Sequence, residues 1–407
     1  MKIIVYEHVS GGGYTGQVLP GSVLAEGYAM LQSFTEDLKA AGHHVTVLLD
    51  ERISKLNPPL KADFIIPVSQ PQEPTLFLLG LARVNDAAYI IAPETASTLQ
   101  KIVKTIESTG KTSLNCSSDA IAEVADKAKL TETLQKNGYI TPKTILFNIN
   151  DSLKYIKESI NCKLSYPLVF KPVDGAGCSG VSLIKNQDRI QDAIEKLKKE
   201  PDSKKFIVQE FVEGESVSVS LLSNGSKAVA FSLNKQNITL AEPTGESTYN
   251  GGYTPLNHPN QDHIFVLSEK IVETLPGLRG YIGVDLIINQ KGLYLVDVNP
   301  RLTVSYVGVR SIVNFNLAQA IINAVTHQQL PQKTPAKAYS YYTKIKTPNS
   351  TLQTYQKTAD LSVIISPPFP LSNQTNSYTL ISCTKIIQAE AVDSLEEAKK
   401  NICSIIG

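Results

Sequence analysis

The chain has 407 residues, which is enough for two or three domains with sizeable cores. Its 39 Lys and Arg against 38 Asp and Glu leave a net charge of +1, which removes the electrostatic case for a nucleic-acid or anionic-membrane partner. The opening run is broken by Glu7 and His8 and has no small-residue cleavage signal, apolar stretches such as Pro167–Phe170 are too short to span a bilayer, and five scattered cysteines suit neither a disulfide framework nor a zinc site, so a cytoplasmic protein is expected.

In chain order, the first segment alternates strands and helices. Lys2–His8 reads as a strand, then a Gly-rich turn, a helix over Val23–Ala41, and strands at His43–Asp50, Ala62–Val68 and Ala88–Pro93, with a helix after Glu94. This βα pattern favours a parallel sheet in a domain spanning 1–117. The turn Gly11–Gly16 has G-x-G-x-x-G spacing at Gly11, Gly13 and Gly16, but no acidic residue closes the following strand at the position a dinucleotide site needs, so such a site is not expected. Its glycines either serve a turn of positive φ or present backbone N–H groups to a substrate, with Gly12 the nominated position.

From Ser117 the pattern changes. A single helix with a Ser cap and a Gly stop is expected over Ser117–Gly138, followed by strands at Thr141–Phe147, Ser165–Pro172, Phe206–Val212 and Glu215–Leu233, with one helix near 187–199. Gly280–Asn289 and Gly292–Arg301 form a hairpin, and a helix over Phe315–Thr326 closes this antiparallel α+β block, 118–330. The tail, 331–407, reads as a small C-terminal β-rich module with strands at Leu361–Ser366 and Tyr378–Cys383 and a short helix at Ser394–Ile402.

Chemistry concentrates in an ordered set: Asp126-Lys127, Lys171 after the apolar run Pro167–Phe170, the loop Asp174–Gly180, Val208–Ser216, Asp285 in Gly283–Ile287, and Asp297, Asn299 and Arg301 in Val296–Arg301. In this order the set resembles the ATP-grasp superfamily of carboxylate-amine ligases over about residues 118–328. The stretches Val5–Gly13, Leu19–Gly27, Ser232–Ile238, Tyr249–Pro255 and Pro300–Arg310 are similar to the tyramine-glutamate ligase branch. The resemblance implies an ATP-grasp fold with a lid at about 166–215, ATP and magnesium (or manganese) as cofactors, and small carboxylate and amine substrates. It also implies a two-step amide synthesis through an acyl phosphate, and a homodimer as the expected assembly.

Each element has a physical reason. Lys127 and Lys171 can reach triphosphate oxygens as point charges, and Lys171, together with Arg301, is the catalytic candidate. In the lid loop, Asp174, Gly175, Ala176, Gly177, Ser179 and Gly180 let backbone N–H groups close over phosphates with few Cβ atoms in the way. Glu210, Phe211 and Val212 lie where backbone groups would read adenine, and Glu215, with Glu210 second, is the candidate for the ribose hydroxyls. Asp285 and Asp297 face each other across the hairpin, and Asn299 follows two residues on, so three hard oxygen donors converge on one face, a set suited to magnesium. Relatives often carry Glu at the two Asp positions, which leaves one or two ions open. Arg301 would turn its planar fork to the transferring phosphoryl group or the substrate carboxylate. Arg310 and Lys235 are candidates to hold an acceptor carboxylate, and Ser305 to line its pocket. Two other readings stand beside the ligase: a carboxylase or carbamoyl-type enzyme that activates bicarbonate, and an ATP-binding scaffold or regulatory protein without turnover.

Overall fold

A computed structural model describes residues 1–175, 177–200, 204–372 and 376–406, whose strands form three sheets. In the N-terminal sheet β1 (Lys2–Glu7), β2 (His44–Asp50), β3 (Phe64–Val68), β4 (Ala87–Ile91) and β5 (Thr112–Ser113) run parallel in the order β3-β2-β1-β4-β5. The near-continuous apolar runs of β1 and β4 are buried, as a parallel strand covered on both faces requires. Helix α1 (Gly21–Ala40) starts one residue after Pro20 and buries Leu24, Tyr28, Leu31, Phe34 and Leu38, a single face at 3.6-residue spacing. Strand order reverses between β1 and β4, and the crevice that such a switch point opens lies at their C-terminal ends, beside Glu94.

A smaller antiparallel sheet holds β6 (Thr144–Asn148), β7 (Leu168–Pro172), β8 (Ser182–Ile184) and β9 (Lys205–Glu210) in the order β6-β9-β7-β8. With the helices Leu153–Lys163 and Ile190–Lys198 it encloses its own core of Phe147, Ile160, Phe170, Leu197 and Phe206. This body reaches back to Thr144, beyond the lid segment read at about 166–215. The loop 173–181 between β7 and β8 is its tip, and Ala176 within that loop lies outside the described residues.

The third sheet has eight strands: β10 (Glu215–Asn224), β11 (Ala228–Thr239), β12 (Thr248–Thr254), β13 (Arg279–Asn289), β14 (Gly292–Asn299), β15 (Tyr339–Pro348), β16 (Ile364–Ser366) and β17 (Asn376–Lys385). Their order is β14-β13-β10-β11-β12-β15-β17-β16. The C-terminal segment is therefore β-rich without having a sheet of its own: β15 pairs with β12 through Gly251↔Thr343 to Thr254↔Ser340. Close approach there needs glycine, since a Cβ on Gly252 would lie 2.0 Å from the Lys235 carbonyl oxygen. One hydrophobic cluster runs across the N-terminal and large sheets, joining Tyr28, Tyr89 and Phe34 to Tyr281, Tyr306 and Phe369, and a second joins Ile4 and Ile90 to Val217 and Val284. No described helix is long and apolar enough to cross a membrane.

The helix expected over Ser117–Gly138 is two helices, Ser118–Ala125 and Lys127–Lys136. Asp126, in extended conformation, breaks the run, and its carboxylate accepts from the Ala128 and Lys129 N–H groups at 3.0 and 3.1 Å as the cap of the second helix. Apolar periodicity continues across the break, so only the capping geometry reveals it.

Candidate active site

The β13–β14 hairpin places Asp285 directly opposite Asp297, with Asn299 two residues further along β14. Asn299 Nδ2 donates to Asp285 Oδ2 at 2.9 Å, which leaves its amide oxygen as a third donor atom. Gln236 Nε2 donates to the other Asp285 oxygen at 3.1 Å. Burial, and then the negative charge of Asp297, push the Asp285 carboxyl up to about 6. Two buried carboxylates facing each other call for a cation. Two carboxylates and one amide oxygen suit magnesium, which takes few protein ligands and completes its shell with phosphate oxygens and water. Among the described residues no group of three His, Cys, Asp or Glu side chains is placed to hold a metal ion by itself.

Lys127 is the first residue of its helix, where the dipole opposes a cation. It is held there by a salt bridge, Nζ to Asp297 Oδ2 at 2.6 Å, with only 11% of the Lys127 side chain exposed. Burial alone would lower its pKa, but Asp297, with Glu94 and Asp285 behind it, raises it. The Lys127 N–H donates to the Val173 carbonyl at 3.0 Å and so ties this helix to the end of β7. Lys171 sits on β7, 8% exposed, and among the described residues its ammonium makes no hydrogen bond. Burial and the positive charge of Lys127 lower it to about 8, against the pull of Asp297 and Asp285. The site thus holds one lysine already neutralised and one that lacks a direct anionic contact.

Arg301 differs from its expected open role. Its Nε and Nη2 donate to the two Glu94 oxygens at 2.9 and 3.0 Å, and Nη1 donates to the Leu302 carbonyl at 3.0 Å. Three of the five guanidinium N–H groups are therefore committed, and one on Nη1 and one on Nη2 remain. Glu94 was no sequence candidate. It leaves the parallel sheet just after β4, at the switch point, and that position was the one signal that could have found it.

Several nominated residues are spent elsewhere. Asp174 Oδ2 accepts from the Ala96 N–H at 2.9 Å, clasping the lid loop to the N-terminal domain, so its carboxylate does not serve the phosphates. Glu210 accepts from the Ser165 N–H at 3.0 Å and pairs with Lys143 at 3.5 Å, which takes it from the ribose role. Glu215 and Lys235 pair with each other at 3.1 Å across β10 and β11. Phe211 donates its N–H to the Pro167 carbonyl at 2.9 Å. Arg310 is held by Asp37 at 2.6 Å and Glu36 at 3.3 Å, a clamp between the helix Tyr306–Ile312 and α1 rather than an acceptor contact. Ser305 is buried and shares its hydroxyl with Thr303 at 2.8 Å. Gly12 has φ +99 and a Cβ there would meet Val68 at 2.4 Å, which is the turn reading rather than the substrate one. In the lid loop Gly177 and Gly180 have φ +66 and +68, Gly175 packs against Pro172, and Ser179 Oγ donates to Glu200 at 2.6 Å.

Two sheets thus bring paired lysines and paired acids together, an arrangement that the comparisons with known proteins place in a family. The ATP-grasp domain family matches residues 124–305, and the pre ATP-grasp 3 domain family matches residues 43–121. A tyramine–L-glutamate ligase of Methanocaldococcus jannaschii is 30% identical over 255 residues, 63% of this chain and 68% of the relative. That of Methanocaldococcus fervens is 33% identical over 63% of this chain and 71% of the relative. Among solved structures, an ATP-grasp superfamily protein from Archaeoglobus fulgidus superposes with a TM-score of 0.62 at 22% identity, covering 94% of this chain and 99% of that one. The chain belongs to the ATP-grasp superfamily, with tyramine–L-glutamate ligases among its homologues.

Proposed function

We propose that the protein is an ATP-dependent ligase that joins a carboxylate to an amine through an acyl phosphate. The observation that carries this reading is Lys171: a buried ammonium without a hydrogen-bonded counter-ion, placed on β7 opposite the Asp285–Asp297 pair, is where a triphosphate would supply the missing charge. The similarity to tyramine–L-glutamate ligases supports glutamate as the carboxylate and an arylalkylamine as the nucleophile.

Asp285, Asp297 and Asn299 would hold magnesium, which when bound neutralises phosphate charge. Lys171 and Lys127 bind phosphate oxygens, and the N–H groups of the loop 173–181 close over them. A substrate carboxylate oxygen then attacks the γ-phosphorus and ADP leaves. The remaining N–H groups of Arg301, whose guanidinium Glu94 holds in place, would meet the charge that develops on the transferring group. The amine attacks the acyl carbon, phosphate leaves, and the nitrogen loses a proton to solvent. No side-chain nucleophile enters, and the residues act by positioning and charge.

The test is ADP release with magnesium-ATP, glutamate and a panel of amines, read together with product mass and with a bicarbonate-only control. An amide mass appearing with ADP is expected, and Lys171→Ala and Asp297→Asn should abolish both while melting cooperatively. Wild-type turnover in either variant, or ADP release that follows bicarbonate alone, would sink the reading.

A further inference from the structure

The N-terminal sheet ends at β3, which pairs only with β2. Phe64 and Ile66 of β3 stand opposite Thr46 and Leu48, and Thr46 stands opposite Ile4, so all lie on one face of the sheet. On that face Ile4, Leu48 and Val68 share a buried cluster with Leu78 of the helix Glu73–Ala82. The helix buries Pro74, Leu78 and Ala82, a single stripe at fourth-residue spacing.

Its outer side is apolar as well. Leu76 is 59% exposed, Leu79 is 38% exposed, and Val84, just past the end of the helix, is 67% exposed. A helix that faces water on one side carries polar residues there, and one that is apolar all round belongs in an interior. This helix therefore lacks a cover.

The outer side also shows what fits it. Glu73, Leu76, Gly80 and Arg83, the last still helical in backbone, are spaced by three, four and three residues and so share one stripe. Read backwards, the stripe is its own complement. A second copy of the helix, laid antiparallel and centred on position 78, sets Glu73 against Arg83 and Leu76 against Gly80, and each contact occurs twice, as a two-fold axis requires. Gly80 is exposed, and a Cβ there would meet nothing within 4 Å, so the helix surface has a notch where a leucine can seat. Among the described residues the Arg83 guanidinium makes no ion pair or hydrogen bond. Glu73 Oε2 accepts from the Ser69 and Gln70 N–H groups at 2.6 and 2.8 Å, while Oε1 has only a 3.4 Å contact from Ser69 Oγ and can take a further donor. A purely apolar partner would leave both charges unanswered.

We propose that the helix Glu73–Ala82 is a homodimer contact, two copies packing antiparallel about a two-fold axis with each Leu76 over the partner's Gly80 and each Arg83 paired with the partner's Glu73. The contact uses none of the residues on which the ligase reading rests. A ten-residue helix is about 15 Å long, so the interface is at the small end of specific contacts and the dimer should dissociate on dilution.

Sedimentation of the full chain over roughly two decades of micromolar concentration tests it. The wild type should pass from monomer to dimer. Gly80→Leu fills the notch without touching its own chain and introduces a better helix former, so it should weaken the dimer at least tenfold while the monomer melts no lower than before. Arg83→Glu and Glu73→Arg each turn two attractive pairs repulsive, so each variant alone should dimerise about tenfold more weakly. Mixed together they should form a heterodimer of near wild-type affinity, because both cross-pairs are then opposite in sign. This mixing arm also serves should Gly80→Leu fail to fold. A wild type that stays monomeric throughout, a dimer that folded Gly80→Leu leaves intact, or charge variants that do not recover on mixing would overturn the assignment.

Discussion

At Lys171 the ammonium is pushed down to about 8 by burial and by Lys127, while the unfolded chain would protonate near 10.5. Between those values the unfolded state binds more protons than the native one, so this residue's contribution to stability rises with pH across about 8 to 10.5. Nucleotide binding has the opposite dependence, because a triphosphate requires the charged form. MgATP binding near pH 8 should take up a proton, seen as a buffer-dependent calorimetric enthalpy, and affinity should fall by roughly tenfold between pH 8 and 9.5. Lys171→Arg, which stays charged, should remove both effects. Glu94 allows a different measurement, since it touches Arg301 and neither lysine directly. Glu94→Gln should lower kcat by about 10- to 100-fold and lower the melting temperature, because the buried Arg301 loses its counter-charge, with MgADP affinity unchanged, as expected of a residue that aims another. A matched loss of nucleotide affinity would make Glu94 part of the ATP site itself.

Among the elements, the helix Lys127–Lys136 exists as a separate unit because Asp126 caps it, and that cap fixes where Lys127 begins. Asp126→Ala should cost about 1 kcal/mol in denaturant unfolding and also weaken ATP binding, because the first helical residue is released. A loss of stability with unchanged affinity would show that the salt bridge to Asp297 alone positions Lys127. The hairpin was legible from sequence but its register was not: pairing out from the turn reaches Leu286↔Leu295 and would set Asp285 against Val296, and a register shift between Asp285 and Leu286 is what brings Asp285 opposite Asp297 and onto the face of Asn299. Asp126 was legible as a residue and not as a break, since capping competes with a helical pattern that continues on both sides. Glu210, Glu215, Lys235 and Arg310 have partners that the sequence did not show, for a shared reason. A charged side chain near a motif is available only if no other charge reaches it first, and their partners Ser165, Asp37 and Glu36, like the Glu215–Lys235 pairing itself, are set by distant contacts or cross-strand register.

In the whole molecule, the C-terminal segment completes the large sheet rather than standing beside it. Removing residues 331–407 would bare the edge of β12 and strip the cover from Tyr28, whose ring packs on Phe369 at 4.9 Å. The truncated chain should lose cooperative melting and MgADP binding together; a fragment that melts like the full chain would show that β15 to β17 fold independently. Period and composition determined the alternating βα start, the antiparallel block and the acidic hairpin, because these depend on neighbours within a few residues and on faces that repeat every two or 3.6 positions. The ordered motif set was also enough for the resemblance to the ATP-grasp superfamily. Only the tertiary structure decided that Glu94 holds Arg301, that Lys127 rests on Asp297, and that Glu26 of α1 meets Lys344 of β15. Those pairs join residues 207, 170 and 318 positions apart, and at such separations which charges meet is set by how the sheets pack, which no local pattern encodes.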